Sequence, residues 1–309
     1  MSDIIFHHYP NSPFSEKVRL IFGFKKLAWK SVIVPVIMPK PDLTPLTGGY
    51  RRTPVMQIGA DVYCDTALIA DVLERIAPTP SLYPVAIAGV AKTVAQWADT
   101  TLFWTAIAYS FQPAGLQSMF GSLPPEHVKA FSADRAILRG NAPRMSVPEA
   151  TGQLTAYLAR FEEMLADGKP YLLGQVPTIA DFSVYHAIWY VRRATAVAGI
   201  LDAAPKVLEW ADRLAAGGHG QMEKLSSEEA LAIAKSSTAA DTRDASFMDT
   251  HGVAQGDRVA IMPTDYGLDP VEGELVLASA NEFAVRRSDE RAGEVVVHFP
   301  RIGFQLKKI

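Results

Sequence analysis

The stretch Tyr9-Pro10-Asn11-Ser12-Pro13-Phe14-Ser15-Glu16-Lys17-Val18-Arg19-Leu20 is a short polar turn that opens directly into an amphipathic helix. Ahead of it, Ile4-Ile5-Phe6-His7-His8-Tyr9 reads as a buried strand; after it, apolar residues at 18, 20, 21 and 24 recur with helical spacing. Ser12 therefore stands at a strand-to-helix elbow. Pro13 suits the first helical position, where its missing N–H has no partner to lose and its fixed φ matches the helix. That makes Ser12 the N-cap. The unpaired backbone N–H groups of the elbow, together with the positive end of the helix dipole, favour an anion there, a thiolate included.

Outward from the elbow, residues 1–84 alternate between strand and helix signals: a strand at 4–9, a helix at 13–24, a strand near 29–35, strands near 55–58 and 62–64, and a helix at 66–77. This order predicts an α/β domain with a mixed sheet and helices on its faces. Pro78-Thr79-Pro80-Ser81-Leu82-Tyr83-Pro84 punctuates its end. Residues 88–235 predict an all-α domain, with helices over 90–111, 124–139, 147–166, 178–196 and 205–216. The small polar residues 236–244 read as a linker. The apolar period then changes, and five short strands are expected at 257–262, 274–278, 282–287, 294–299 and 303–308. Together they predict a small all-β, SH3-like barrel over 250–309. A unit of about 55 residues is marginal alone, so it is expected to dock onto the helical domain or a second subunit. A stabilising appendage is its plainest role, ahead of partner binding or a lid.

With 309 residues, 49% hydrophobic and 20% charged, the chain can bury the cores of two or three domains. A net charge of −3 without a Lys/Arg cluster offers no footprint for nucleic acid or an anionic membrane surface. The one cysteine, Cys64, excludes an internal disulfide framework and reads as a buried small apolar residue. There is no signal-like N-terminal core and no run of 18 apolar residues, so a cytoplasmic protein without membrane insertion is expected. His7 and His8 alternate on a strand and lack further ligands at metal spacing, so no metal is expected.

Three further segments follow the elbow in order: Gly48-Gly49-Tyr50-Arg51-Arg52-Thr53-Pro54-Val55-Met56-Gln57-Ile58, Val62-Tyr63-Cys64-Asp65-Thr66-Ala67-Leu68-Ile69-Ala70-Asp71-Val72-Leu73, and Pro177-Thr178-Ile179-Ala180-Asp181-Phe182-Ser183. Taken together, the four resemble the glutathione S-transferase family, a thioredoxin-like domain followed by an all-helical one, over roughly the first 220 residues. The C-terminal strands depart from that pattern. The resemblance implies that Ser12 hydrogen-bonds the glutathione thiolate and lowers its pKa from ~8.5, with Tyr9 and Asn11 as rivals. It further implies that Arg52 or Arg51 receives the glycyl carboxylate, and that Thr53 pairs with the cysteinyl peptide ahead of a cis Pro54. Asp65 and Thr66 would hold the γ-glutamyl end. Phe14, Phe103 and Trp104 would line a second-substrate pocket for an apolar or aromatic electrophile, in a homodimeric detoxification enzyme.

Each residue has a plainer reading too. Ser12 and Asp65-Thr66 can be helix caps, Arg51-Arg52 a solvated loop pair, and the aromatics between Trp97 and Phe111 core. Thr178 and Asp181 are read as a structural capping box. Position 12 is not cysteine, which disfavours thiol–disulfide exchange. The leading expectation is a glutathione transferase with glutathione as co-substrate. The alternatives are a non-catalytic glutathione-binding or scaffold protein using the barrel for a protein partner, and a glutathione-dependent peroxidase.

Overall fold

The computed structural model describes residues 3–142, 144–240, 247, 248 and 250–309. Part of the expected linker, 241–244, lies outside the described residues.

The N-terminal unit runs β1 (Ile5–His8), α1 (Pro13–Phe24), β2 (Ala28–Ile33), a single turn α2 (Thr44–Thr47), β3 (Val55–Ile58), β4 (Asp61–Cys64) and α3 (Thr66–Ile76). β1 pairs in parallel with β2 and antiparallel with β3, and β3 pairs antiparallel with β4. This is the mixed, thioredoxin-like sheet the alternation predicts. On one face Phe6 packs edge-on against Phe22 and Trp29, with ring centroids 5.2 and 5.6 Å away.

The helical unit begins with α4 (Ala88–Trp97) and α5 (Phe103–Ser110), which a π-helical turn at Ala98–Leu102 joins end to end. There follow α6 (Pro113–Phe120), α7 (Pro125–Arg139), α8 (Val147–Met164), α9 (Ile179–Arg193), a 3₁₀ turn at Ala198–Ala203 and α10 (Pro205–Ala215). α9 is buried along nearly its whole length, against α1 on one side and α4 and α5 on the other. One hydrophobic core therefore runs from Phe6 and Leu73 of the N-terminal unit through Leu102 and Ile188 to Trp210. Asp181 anchors the start of α9. Its carboxylate accepts from the Thr178 N–H (2.8 Å) and hydroxyl (3.0 Å), the Leu172 N–H (2.8 Å) and the Trp210 indole N–H (3.0 Å).

The helical pattern read through residue 235 needs correction at its end. Gln221–Lys224 forms β5, an edge strand parallel to β2, and α11 (Ser227–Ser236) crosses the sheet face opposite α1, burying Ala230 against Ile5 and Val32. With α2 only a single turn long, this late segment supplies the cover that a sheet needs on its second face.

The C-terminal strands lie close to their expected places: β6 (Arg258–Pro263), β7 (Val271–Ala278), β8 (Glu282–Asp289), β9 (Gly293–Pro300) and β10 (Phe304–Lys308). Their docking differs from expectation. β9 pairs in parallel with β4, matching Asp61 to Val296 and Tyr63 to His298, so among the described residues one sheet runs β10-β6-β7-β8-β9-β4-β3-β1-β2-β5. The all-β unit is thus attached mainly to the thioredoxin-like sheet, with a smaller contact on the helical unit. The reason is an edge: β4 would otherwise leave a row of backbone groups unpaired. A second core seals the seam, where Leu46, Val55, Val62 and Cys64 pack with Val259, Val285, Val297 and Phe299. Within the seam the His298 ring donates to Glu282 (Nδ1, 2.6 Å) and to Asp61 (Nε2, 3.0 Å) and stacks on Tyr63. No helix among the described residues is long and apolar enough to cross a membrane.

Candidate active site

Ser12 has the extended backbone of an N-cap, and its Oγ accepts the Ser15 N–H at 3.1 Å. That bond uses a lone pair and leaves the hydroxyl proton to be donated elsewhere. The residue is 1% exposed. Of its rivals, Asn11 turns outward and accepts from Arg193 of α9 at 2.8 Å, and Tyr9 packs half-buried against the second core.

The Thr53–Pro54 peptide is cis, as the resemblance implies. Below it the buried Lys40 ammonium donates to the Arg51 carbonyl and the Thr53 hydroxyl. Burial, reinforced by Arg135 and Arg51, pulls the Lys40 pKa down to about 7. Arg51 turns away to an ion pair with Asp134 of α7 at 2.7 Å. Arg52 is engaged by the C-terminal unit: it pairs with the Asp265 carboxylate, donates to the Tyr266 carbonyl, and stacks 3.7 Å from the centre of the Tyr266 ring. Its Nε–H is buried without an acceptor.

Asp65 caps α3, accepting the Ala67 N–H at 2.9 Å, from a left-handed backbone (φ +74°) that a non-glycine residue seldom adopts. Burial raises its carboxyl pKa, while the Ala67 N–H and the Arg52 and Lys17 charges act against the rise. Beside it, Thr66 Oγ1 accepts from the fully buried Lys17 ammonium at 3.1 Å. Lys17 also pairs with Asp99 at 2.6 Å, and Asp99 accepts the His186 Nε2–H at 3.0 Å. Asp99 sits on the π-helical turn. Burial opposes its ionisation, but Lys17 and His186 outweigh that and hold its pKa low. Burial lowers the His186 pKa, and its Nδ1 has no partner. Because Lys17 occupies a lone pair of Thr66, the Thr66 hydroxyl proton is free to donate outward.

An aromatic row connects the elbow to Arg52. Phe14 lies 4.6 Å from Phe103, Phe103 lies 5.2 Å from Trp104, and Trp104 lies 5.1 Å from Tyr266. Phe14, Phe103 and Trp104 thus stand in one row. The other aromatics of α4 and α5 do not join it: Trp97 packs on Tyr157, and Tyr109 is buried with its hydroxyl on the Val197 carbonyl.

Sequence reasoning missed Lys17, Asp99, His186, Lys40, Asp265 and Tyr266. Cys64 is buried as expected, and burial pushes its thiol pKa well up, which keeps it inert. His7 bonds Gln57, and burial lowers its pKa to about 4. A separate cleft of about 490 Å³ opens beside β2 and β5, near Trp29 and Met222. Of its polar lining, His8 bonds Ser31 and Arg19, and the buried Glu16 behind the cleft bonds both Arg19 and His219.

Sequence profiles described as "Glutathione S-transferase, N-terminal domain" and "Glutathione S-transferase, C-terminal domain" match residues 6–81 and 144–213. A crystal structure of a GST-like protein from Pseudomonas syringae is 42% identical, with a TM-score of 0.85 and coverage of 100% of both chains, the C-terminal strands included. More distant structures share the fold. A glutathione S-transferase from Rhodospirillum rubrum (18% identity, TM-score 0.52) covers 69% of this chain and 87% of its own. The β-etherase LigF from Sphingobium (17%, TM-score 0.51) covers 70% and 96%. No curated protein matches the sequence.

Proposed function

Since the chain belongs to the glutathione S-transferase family, we propose that it is a serine-type glutathione transferase, with glutathione as co-substrate and Ser12 as the group that stabilises its thiolate. The observation that carries this reading is the state of Ser12: its Oγ already accepts from Ser15, and its proton is left for the sulfur. In a site shielded from water, one O–H donor directed at a thiolate weighs more than in bulk, so the bound thiol ionises nearer neutrality. The thiolate then attacks an electrophilic carbon; a sulfur–carbon bond forms, and the displaced group leaves with its electron pair.

The remaining contacts follow the shape of the tripeptide. Thr53, ahead of Pro54, presents its backbone to the cysteinyl peptide. Asp65 and Thr66 take the γ-glutamyl end, where the Thr66 hydroxyl and the first N–H groups of α3 receive the carboxylate. Arg52 stands at the glycyl end, its guanidinium already held by Asp265 and Tyr266. Phe14, Phe103 and Trp104 form an apolar wall suited to an aromatic or apolar electrophile. The enzyme is read as a cytoplasmic homodimer acting in detoxification.

The test is a pH titration of the thiolate absorbance of glutathione bound to the wild-type protein and to Ser12→Ala. A bound thiol pKa at least one unit below ~8.5 in wild type, restored in the variant, is the expected result. Glutathione that binds with an unperturbed thiol points to the non-catalytic binding protein instead. Glutathione-dependent consumption of peroxide, without conjugation, points to a peroxidase.

A further inference from the structure

The turn between β6 and β7 reaches out of the all-β unit and ends inside the candidate site. Asp265 pairs with Arg52 there, the Tyr266 carbonyl accepts from the same guanidinium, and the Tyr266 ring lies between Arg52 and Trp104. The turn is fixed on its far side as well. The Gly267 N–H donates to the Leu138 carbonyl at the end of α7 (2.7 Å), and Gly267 has φ +56° with Leu138 so close that a Cβ would lie 2.8 Å from its side chain. Residues 213 and 214 positions along the chain from Arg52 thus converge on its guanidinium. The Asp265 carboxylate is the chemical counterpart of the glycyl carboxylate that the resemblance implies for Arg52.

We propose that Asp265 and Tyr266 are specificity-determining residues of the thiol site: Asp265 holds Arg52 in place of a ligand's terminal carboxylate, so the site discriminates little between γ-glutamyl thiols with a free glycyl carboxylate and those in which it is blocked. A ligand carboxylate brought to the Arg52 guanidinium meets a second carboxylate already paired with it. The like charges cancel most of the attraction. The neutral glycyl ester does not meet that repulsion. The Tyr266 ring closes the same end, so what lies beyond the glycine is sorted by an aromatic face from the C-terminal unit. This inference rests on the glutathione-site reading.

The experiment measures the dissociation constants of glutathione and of its glycyl monoethyl ester by calorimetry, for wild type, Asp265→Asn and Arg52→Gln/Asp265→Asn. Asp265 is exposed and the substitution isosteric, so folding is retained. Expected are near-equal affinities in wild type. In Asp265→Asn, glutathione binds about tenfold or more tightly while the ester is unchanged, the scale of one charge-assisted pair. That gain disappears in the double variant. If wild type binds both thiols and Asp265→Asn leaves their ratio unchanged, or weakens glutathione, the specificity role is overturned and the glutathione site stands. If none of the three proteins binds either thiol, the glutathione-site reading falls and the inference falls with it.

Discussion

Individual residues at the caps were legible because capping is local. Ser12 before Pro13, Asp65 before Thr66 and Thr178 before Asp181 announce helix starts through their immediate neighbours, and all three stand where helices begin. Asp181 does more than its spacing conveys, since two of its four hydrogen bonds, those from Leu172 and Trp210, come from other segments. Asp181→Ala should therefore cost about 3–5 kcal/mol in urea unfolding, because several buried N–H donors lose their acceptor, against ~1 kcal/mol for an ordinary cap. The charged residues of α1 were not legible. Glu16, Lys17 and Arg19 read as the solvent side of an amphipathic helix, yet each is buried. Their partners Asp99 and His219 lie far along the chain, and no local period encodes them.

At the scale of elements, strong periodicity placed the sheet strands and the long helices, and weak periodicity misled. β5 is four exposed residues without apolar alternation, held by its backbone pairing with β2. The π-helical turn is likewise silent in the sequence, since Ala98–Leu102 continues a helical pattern; Asp99, which pairs with Lys17, lies on that turn. This buried pair joins the N-terminal and helical units. Lys17→Met leaves Asp99 without its cation and should destabilise the protein by about 3–5 kcal/mol. Lys17→Met/Asp99→Leu removes both charges and should recover most of that loss. A double-mutant cycle in denaturant checks both values, and equal, additive losses would contradict the pairing.

For the molecule as a whole, the sequence foretold three units in order but not how they join, because the seam of β4 and β9 is a matter of edges and long-range packing. The His298 ring at that seam makes the junction sensitive to pH. Burial disfavours its charge, but its hydrogen bonds to the Asp61 and Glu282 carboxylates prevail and raise its pKa above the usual 6.5. A raised folded-state pKa contributes stability that is complete below about 6.5 and is lost as the pH climbs through the folded value. Urea midpoints should therefore fall between about pH 6 and about pH 9 in wild type, and His298→Gln should flatten that slope. An unchanged slope in the variant would assign the effect elsewhere.

The continuous sheet also bears on how the chain is made. As the ribosome releases the thioredoxin-like unit, β4 emerges with its outer edge bare, and Val55, Val62 and Cys64 have only Val34, Leu43, Leu46 and Tyr50 of their core. Their cover, from Val259 to Phe299, is translated roughly two hundred codons later. During synthesis the thioredoxin-like half is an unfinished sheet, open to pairing with neighbouring nascent chains. The strand that closes this edge, β9, follows the whole helical unit in the chain.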